Sequence, residues 1–269
     1  MLDEDAVEAL LQDDPDSALT LLADLVGATD RALADQARRL AARISIATTR
    51  AGSPRSGIGH LRTRSAGSAT GDLDLDASLD ALGAGTQGRP TVRDHTALRV
   101  SAWTRHDTAL CLLVDRSGSM AGNRLATAAV AAAAAMTRYP DDSSVVCFSD
   151  QAVVLASQDS QRDHDDVLGD LLALRGFGIT DLGLALRTES AQLSRSTARR
   201  RVAVLLSDCR ATAGGDPLPH AAGIDEVVVL VPADDTADAE AFADALGCRW
   251  APVAGPSDIP AAFRSVLGG

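Results

Sequence analysis

The chain predicts a doubly wound α/β protein: a mostly parallel six-stranded sheet with one antiparallel edge strand and helices on both faces, preceded by a small helical region. Three observations carry this reading. Val202–Leu206 and Val227–Val231 are near-continuous apolar runs, as a parallel sheet covered on both faces requires. From residue 109 onward, strand-like and helix-like segments alternate regularly. Ser149-Asp150-Gln151 separates two apolar runs, is too short for a parallel crossover, and so implies an antiparallel hairpin.

Residues 1–47 form the N-terminal helical region. Ala6, Val7, Leu10 and Leu11 make one apolar stripe ended by Pro15, and Leu19, Leu22 and Val26 make a second ended by Gly27. A third helix is expected from about Thr29, with Leu33, Ala37, Leu40 and Ile44 on one face. Residues 48–71 are rich in Gly, Ser, Thr and Arg without apolar periodicity and read as a flexible linker. In the segment 72–107, Asp72–Asp76 reads as a strand-to-helix entry with Leu75, Leu79 and Leu82 packing inward and Ser78 as a cap. A strand follows at Leu98–Trp103.

The main domain spans 108–269. Strands are expected at 109–114, Ser144–Phe148, Ala152–Ala156, 201–207, 226–231 and 249–253. Helices are expected at 123–138, 163–174, 181–194 and 236–246, with a short one before residue 226 and a final one from about Ser257.

Composition removes several function classes. All 25 basic residues are arginine, so a lysine phosphate loop, a Schiff base and a lysine general base are excluded. A net charge of −12 argues against nucleic acid or an anionic membrane as partner. Cys111, Cys147, Cys209 and Cys248 are widely spaced and lack any CxxC pairing, which leaves zinc and redox motifs unsupported. The N-terminus is acidic where a secretory signal is basic, and no apolar run approaches 18 residues, so a cytoplasmic location is expected.

The chemistry concentrates after the apolar run Ala109–Val114, where Asp115-Arg116-Ser117-Gly118-Ser119 places three hard oxygen ligands in one tight loop. In a doubly wound sheet, ligands bind beyond the carboxyl ends of the strands, at the point where strand order reverses. If that point is the strand 109–114, its far neighbour is the strand ending at Leu206, which delivers Asp208 to the same edge. The loop Gly176–Asp181 brings the hydroxyl of Thr180. Asp115, Ser117, Ser119, Thr180 and Asp208 then offer three hydroxyls and two carboxylates to Mg²⁺ or Mn²⁺, with room for waters and one external ligand.

Competing motifs fail on spacing. Asp72-Leu73-Asp74-Leu75-Asp76 is no calcium loop, because Ala77 and Gly83 stand where glycine and glutamate are needed. A haloacid-dehalogenase phosphatase needs a second aspartate at the position of Ser117. There is no GxSxG elbow, and Gly176-Phe177-Gly178 lacks the third dinucleotide glycine, Asp181 standing there. A metal-assisted phosphoester hydrolase using Asp115 is the alternative chemical reading.

This set resembles the von Willebrand factor A (VWA) domain with its metal-ion-dependent adhesion site: DxSxS, a later threonine in a Gly-rich loop, and a later aspartate after a buried strand, in that order over about 108–269. The resemblance implies that Ser117 and Ser119 coordinate directly, Thr180 directly or through water, and Asp115 and Asp208 largely through waters. It also implies a binding module rather than an enzyme, its open coordination position filled by a partner's Asp or Glu. Many members carry glycine after the last aspartate, where this chain has Cys209. Outside the main domain the chain resembles bacterial proteins working beside MoxR-type AAA+ ATPases, and the VWA domain of magnesium-chelatase D subunits. That implies an adaptor acting on an AAA+ ATPase or its client, or a chelatase-like component.

Overall fold

The computed structural model describes residues 9–11, 13–26, 60–65, 72–79, 82–84, 90–92, 98–104, 108–117, 123–160, 162–174, 178–221 and 223–267. It divides into two units, Met1–Pro54 with Thr108–Gly269, and Arg55–Asp107. Elements are numbered along the chain.

The smaller unit holds β1 (His60–Ser65), β2 (Asp72–Leu73), β3 (Leu82–Ala84), β4 (Pro90–Val92) and β5 (Arg99–Thr104). β1 and β2 flank β5, both antiparallel to it, and β3 and β4 form a separate antiparallel pair. β1 corrects the reading of its residues as linker: His-Leu-Arg-Thr-Arg-Ser has no apolar pattern, and its register with β5, His60 opposite Thr104 to Ser65 opposite Arg99, makes it a strand. The strand-to-helix entry is also corrected. Leu75 and Leu79 are 59% and 62% exposed. Instead the Ser78 hydroxyl accepts from the N–H of Arg99 at 2.9 Å and donates to its carbonyl, while Asp74 accepts from Ser101, Thr63 and the N–H of Ala77.

In the larger unit, α1 (Pro15–Val26) begins on a cap: Asp14 accepts from the N–H and the hydroxyl of Ser17, and Pro15 takes the first helical position, where no N–H is needed. Ala18, Leu19, Leu22 and Ala23 are its buried face. The helix expected from Thr29 lies outside the described residues.

The main sheet comprises β6 (Thr108–Asp115), β7 (Ser143–Phe148), β8 (Ala152–Ala156), β9 (Arg200–Leu206), β10 (Glu226–Pro232) and β11 (Arg249–Val253), in the order β11-β10-β9-β6-β7-β8. All neighbours are parallel except β7 and β8, the expected hairpin. The helices are α2 (Asn123–Arg138), α3 (His164–Ala173), α4 (Leu182–Leu193), α5 (Leu218–Ala221), α6 (Ala237–Leu246) and, after a 3₁₀ turn at Pro256–Asp258, α7 (Ile259–Leu267).

Alternate strand residues feed two cores. Leu110, Leu112, Val114, Val202 and Val204 face α1, α2, α3 and α7, whereas Ala109, Cys111, Leu113, Leu205 and Val229 face α4, α5 and α6. α2 is alanine-rich because residues 126–136 are all buried, and small side chains let it pack against its neighbours on every side. Strand order reverses at β6, with β7 on one side and β9 on the other.

Candidate metal centre

β6 and β9 run in register, Val114 opposite Leu206, so Asp115 and Ser207 leave the sheet side by side and Asp208 follows directly. Asp115 is 2% exposed, and both of its oxygens are engaged. Oδ1 accepts from the N–H of Ser117 at 2.8 Å and Oδ2 accepts from the Ser207 hydroxyl at 2.6 Å. It is a carboxylate held in place rather than presented as a nucleophile, which weighs against the hydrolase reading. Burial pushes its carboxyl above the ordinary range and the nearby charge of Asp208 adds to this, against the hydrogen bonds from Ser207 and Ser117.

Asp208, 9% exposed, accepts from the N–H of Arg210 at 3.0 Å through Oδ1, and its Oδ2 stands 4.0 Å from the guanidinium of Arg124. Between these two aspartates and their neighbours lies a cleft of about 570 Å³ that both of them line.

Thr180 reaches the same edge by a route the backbone hydrogen bonds define. Its carbonyl accepts from the N–H groups of Thr212 and Ala213, beyond β9, and the next N–H, that of Asp181, donates to Ser149, beyond β7. The segment therefore crosses the end of β6, the strand between them. The Thr212 hydroxyl accepts from the N–H of Thr180 at 2.9 Å, and Thr180 is 3% exposed. Asp181 continues the clamp as N-cap of α4, accepting from the N–H of Leu184. Gly214, with φ of 82°, lies so close to Asp181 that a Cβ would come within 2.4 Å of its Oδ1.

Of the expected ligands, Asp115, Ser117, Thr180 and Asp208 thus lie at one strand-end cluster, Ser117 being 9% exposed and turned back onto Asp115. Ser119 lies outside the described residues. Among the described residues no group of three or more His, Cys, Asp or Glu is placed to hold a metal, so any ion here would lean on hydroxyls and water. The donors fit a hard cation: two close carboxylates, one with its carboxyl pushed up by burial, are relieved by a divalent charge that hydroxyls leave largely unquenched.

Cys209 has φ of 58°, the left-handed region that glycine takes without cost, which gives a backbone reason for the glycine common at this position in VWA domains. Two participants were not read as such from the sequence. Ser207, adjacent to Asp208, orients Asp115, and the signal was its place at the end of the neighbouring strand. Arg124, in the first turn of α2, faces Asp208 and Asp234, and no local pattern marks it.

Among curated proteins none matches the chain. Solved structures similar to it include an aerotolerance-related membrane protein from Bacteroides fragilis NCTC 9343 carrying multiple mutations to serines, with 17% identity, covering 60% of this chain and 98% of that one at a TM-score of 0.49. BatB from Bacteroides thetaiotaomicron is 15% identical over 60% of this chain and 97% of that one, with a TM-score of 0.49. A von Willebrand factor type A protein from Catenulispora acidiphila is 18% identical over 61% of this chain but only 43% of its own, again at 0.49. Among the described residues no helix is long and apolar enough to cross a membrane. The model of the family described as VWA domain containing CoxE-like protein matches residues 40–228, more than half of the sequence and the whole stretch from Asp115 to Asp208, and the chain belongs to that family.

Proposed function

We propose that this chain is a metal-dependent docking module in which Mg²⁺ or Mn²⁺, held by Asp115, Ser117, Ser119, Thr180 and Asp208, captures an acidic side chain of a protein partner. The VWA domain is in general a protein-interaction module, and the metal-dependent reading refines that role. The observation that carries it is the convergence at the switch point: two buried aspartates on adjoining strand ends, beneath a segment that carries Thr180 across the end of β6. When bound, the ion supplies a positive centre for an incoming carboxylate. The chain's own groups orient the site: Ser207 and the N–H of Ser117 fix Asp115, the N–H of Arg210 fixes Asp208, and Thr212 fixes Thr180.

The partner in this reading is a MoxR-type AAA+ ATPase or its client, with the chain acting as a cytoplasmic adaptor and any ATP hydrolysis residing in the partner. A MoxR-type association fits the CoxE-like family. The four free cysteines, three of them buried, suit a reducing compartment.

Thermal unfolding tests the metal. At 100-fold excess over its dissociation constant, an ion that binds only the folded state adds about 2.7 kcal/mol. The melting temperature is therefore expected to rise with Mg²⁺ or Mn²⁺, and Ser119→Ala to abolish the rise; an unchanged curve with both ions overturns the metal reading. Co-purification of an AAA+ ATPase that persists undiminished in EDTA would overturn the bridging role.

A further inference from the structure

We propose that the segment Asp72–Leu79 of the smaller unit is a docking surface in its own right, a pinned acidic ridge of leucines that seats on a basic, apolar patch of a protein partner. It uses none of the expected metal ligands and needs no metal.

The segment is built inside out. Its polar side chains are turned onto the small sheet: Ser78, fully buried, exchanges hydrogen bonds with the backbone of Arg99, and Asp74 accepts from Ser101 at 2.7 Å and from Thr63 and the N–H of Ala77 at 3.0 Å. Its apolar side chains are left outside, Leu73, Leu75 and Leu79 being 48%, 59% and 62% exposed. Single exposed leucines are ordinary on any surface. These, however, are three of the six large apolar side chains exposed among the described residues, and they fall within seven positions. Polar groups tied inward beneath clustered leucines are the pattern of a surface that another molecule covers.

The backbone holds the ridge in shape. The N–H of Asp74 donates to the Arg99 carbonyl at 2.9 Å, that of Ser78 to the Leu75 carbonyl at 3.2 Å and that of Leu79 to the Asp76 carbonyl at 3.4 Å. Residues 75–79 are thus wound in overlapping turns that bring Leu75 and Leu79 within one turn of each other, and little conformational freedom is left to lose on binding.

Charge selects the occupant. Asp72 and Asp76 are exposed beside the leucines, and residues 66–88 hold four aspartates and no base. Arg99, the one base on β5, leaves the ridge net negative. A second copy of the chain would bring the same acids against themselves, and an anionic bilayer would be repelled. The surface that fits is a protein one that sets Arg or Lys around an apolar stripe or groove.

Three immobilised amphipathic peptides are the probes: a leucine face flanked by arginines, the same with serine for leucine, and the same with glutamate for arginine. The full chain in EDTA is expected to be held on the first about tenfold or more tightly than on either of the others. Leu75→Ser with Leu79→Ser is expected to lose that advantage, and Asp72→Asn with Asp76→Asn to weaken retention severalfold, an effect that shrinks as salt is added. Urea unfolding of both variants should match the wild type, because all four side chains are exposed. Leu21→Ser with Asp24→Asn, an exposed leucine and acid on α1, is the control and should leave retention unchanged.

Equal retention on the serine peptide, retention that survives the double leucine substitution, an equal loss in the α1 control, or no retention at all would each overturn the ridge assignment. Metal uptake by the chain is read separately, and its failure would leave this surface standing.

Discussion

The two ends of the main sheet are built from the same residue types and treat them in opposite ways. At the amino end, Asp142 is 8% exposed and accepts from Gln158 at 2.7 Å and from Ser196 at 2.6 Å. Gln158 in turn accepts from Ser144, and its N–H donates to Gln192. Further along that edge Glu226 is held between Arg200 and Arg249, and these guanidiniums keep its carboxyl below the usual range. At the carboxyl end, Asp115 and Asp208 both line a cleft, and the Arg124 guanidinium stands 4.0 Å from Asp208. One end satisfies its polar groups internally, as buried networks must to be stabilising. The other also fixes its aspartates by internal hydrogen bonds but sets two carboxylates near each other beside open space, the arrangement that in the proposed reading a cation would relieve.

The largest expected effects separate these two designs. Asp142→Ala strands the Gln158 amide and the Ser196 hydroxyl and is expected to cost about 4 kcal/mol in urea unfolding, with Mn²⁺ affinity unchanged. Asp115→Asn keeps the shape at the metal edge, and its stability without metal should stay near wild type. Its Mn²⁺ affinity is expected to fall on the order of 100-fold. A loss of Mn²⁺ binding in Asp142→Ala, or its retention in Asp115→Asn, breaks the division between the two ends.

Glu189, within α4, departs from this internal satisfaction. It is fully buried, neither oxygen has a hydrogen-bond partner among the described residues, and burial, with the charge of Asp225 adding, pushes its carboxyl from 4.5 up to about 8. Below pH 4.5 the folded and unfolded chains both hold this proton, so its contribution is constant. Between 4.5 and about 8 the unfolded chain releases the proton while the folded chain keeps it, and stability falls as pH rises. By pH 7 the loss is roughly 3 kcal/mol. Glu189→Gln is expected to remove this slope, read as the difference from wild type in urea unfolding across that window. Parallel pH profiles for the two proteins would show that Glu189 is ionised in the fold.

The larger unit was legible because its signals are local. Val227–Val231 is apolar enough to be a two-sided strand wherever it lies, and the length of Ser149–Gln151 excludes a parallel crossover. The position of Asp208 beside Asp115 followed from one rule about switch points. β1 was illegible because its six residues become a strand only through pairing with β5, some forty residues on. Leu75 and Leu79 misled because apolar residues are not obliged to be inside. The contribution of Ser207 depends on strand register, and that of Arg124 on where α2 meets the sheet. Neither leaves a trace in spacing.

A smaller effect concerns the backbone after Asp208. Comparing Cys209→Gly with Cys209→Ala removes the buried thiol from both and leaves the left-handed φ of 58° as the difference. The glycine variant is expected to be more stable by about 1 kcal/mol, because alanine crowds its Cβ there. Equal stabilities would mean the loop relaxes out of that conformation, and the departure from glycine would then have no structural cost.

The smallest effect asks whether Arg124 closes the carboxyl end in the way Arg200 closes the amino end. Arg200 donates to both oxygens of Glu226, at 2.7 and 3.0 Å, and its removal would leave that carboxylate without its main partner. Arg124 makes no such bond with Asp208; at 4.0 Å it lowers the negative potential that a metal would use and is itself shared with Asp234. Arg124→Ala is therefore expected to raise Mn²⁺ affinity roughly three- to tenfold, as the loss of one partly solvated charge at that distance allows. The gain should shrink as salt is added, because screening already weakens the repulsion in the wild type. A fall in Mn²⁺ affinity would instead make Arg124 a structural partner of Asp208, and the carboxyl end would then be as closed as the amino end.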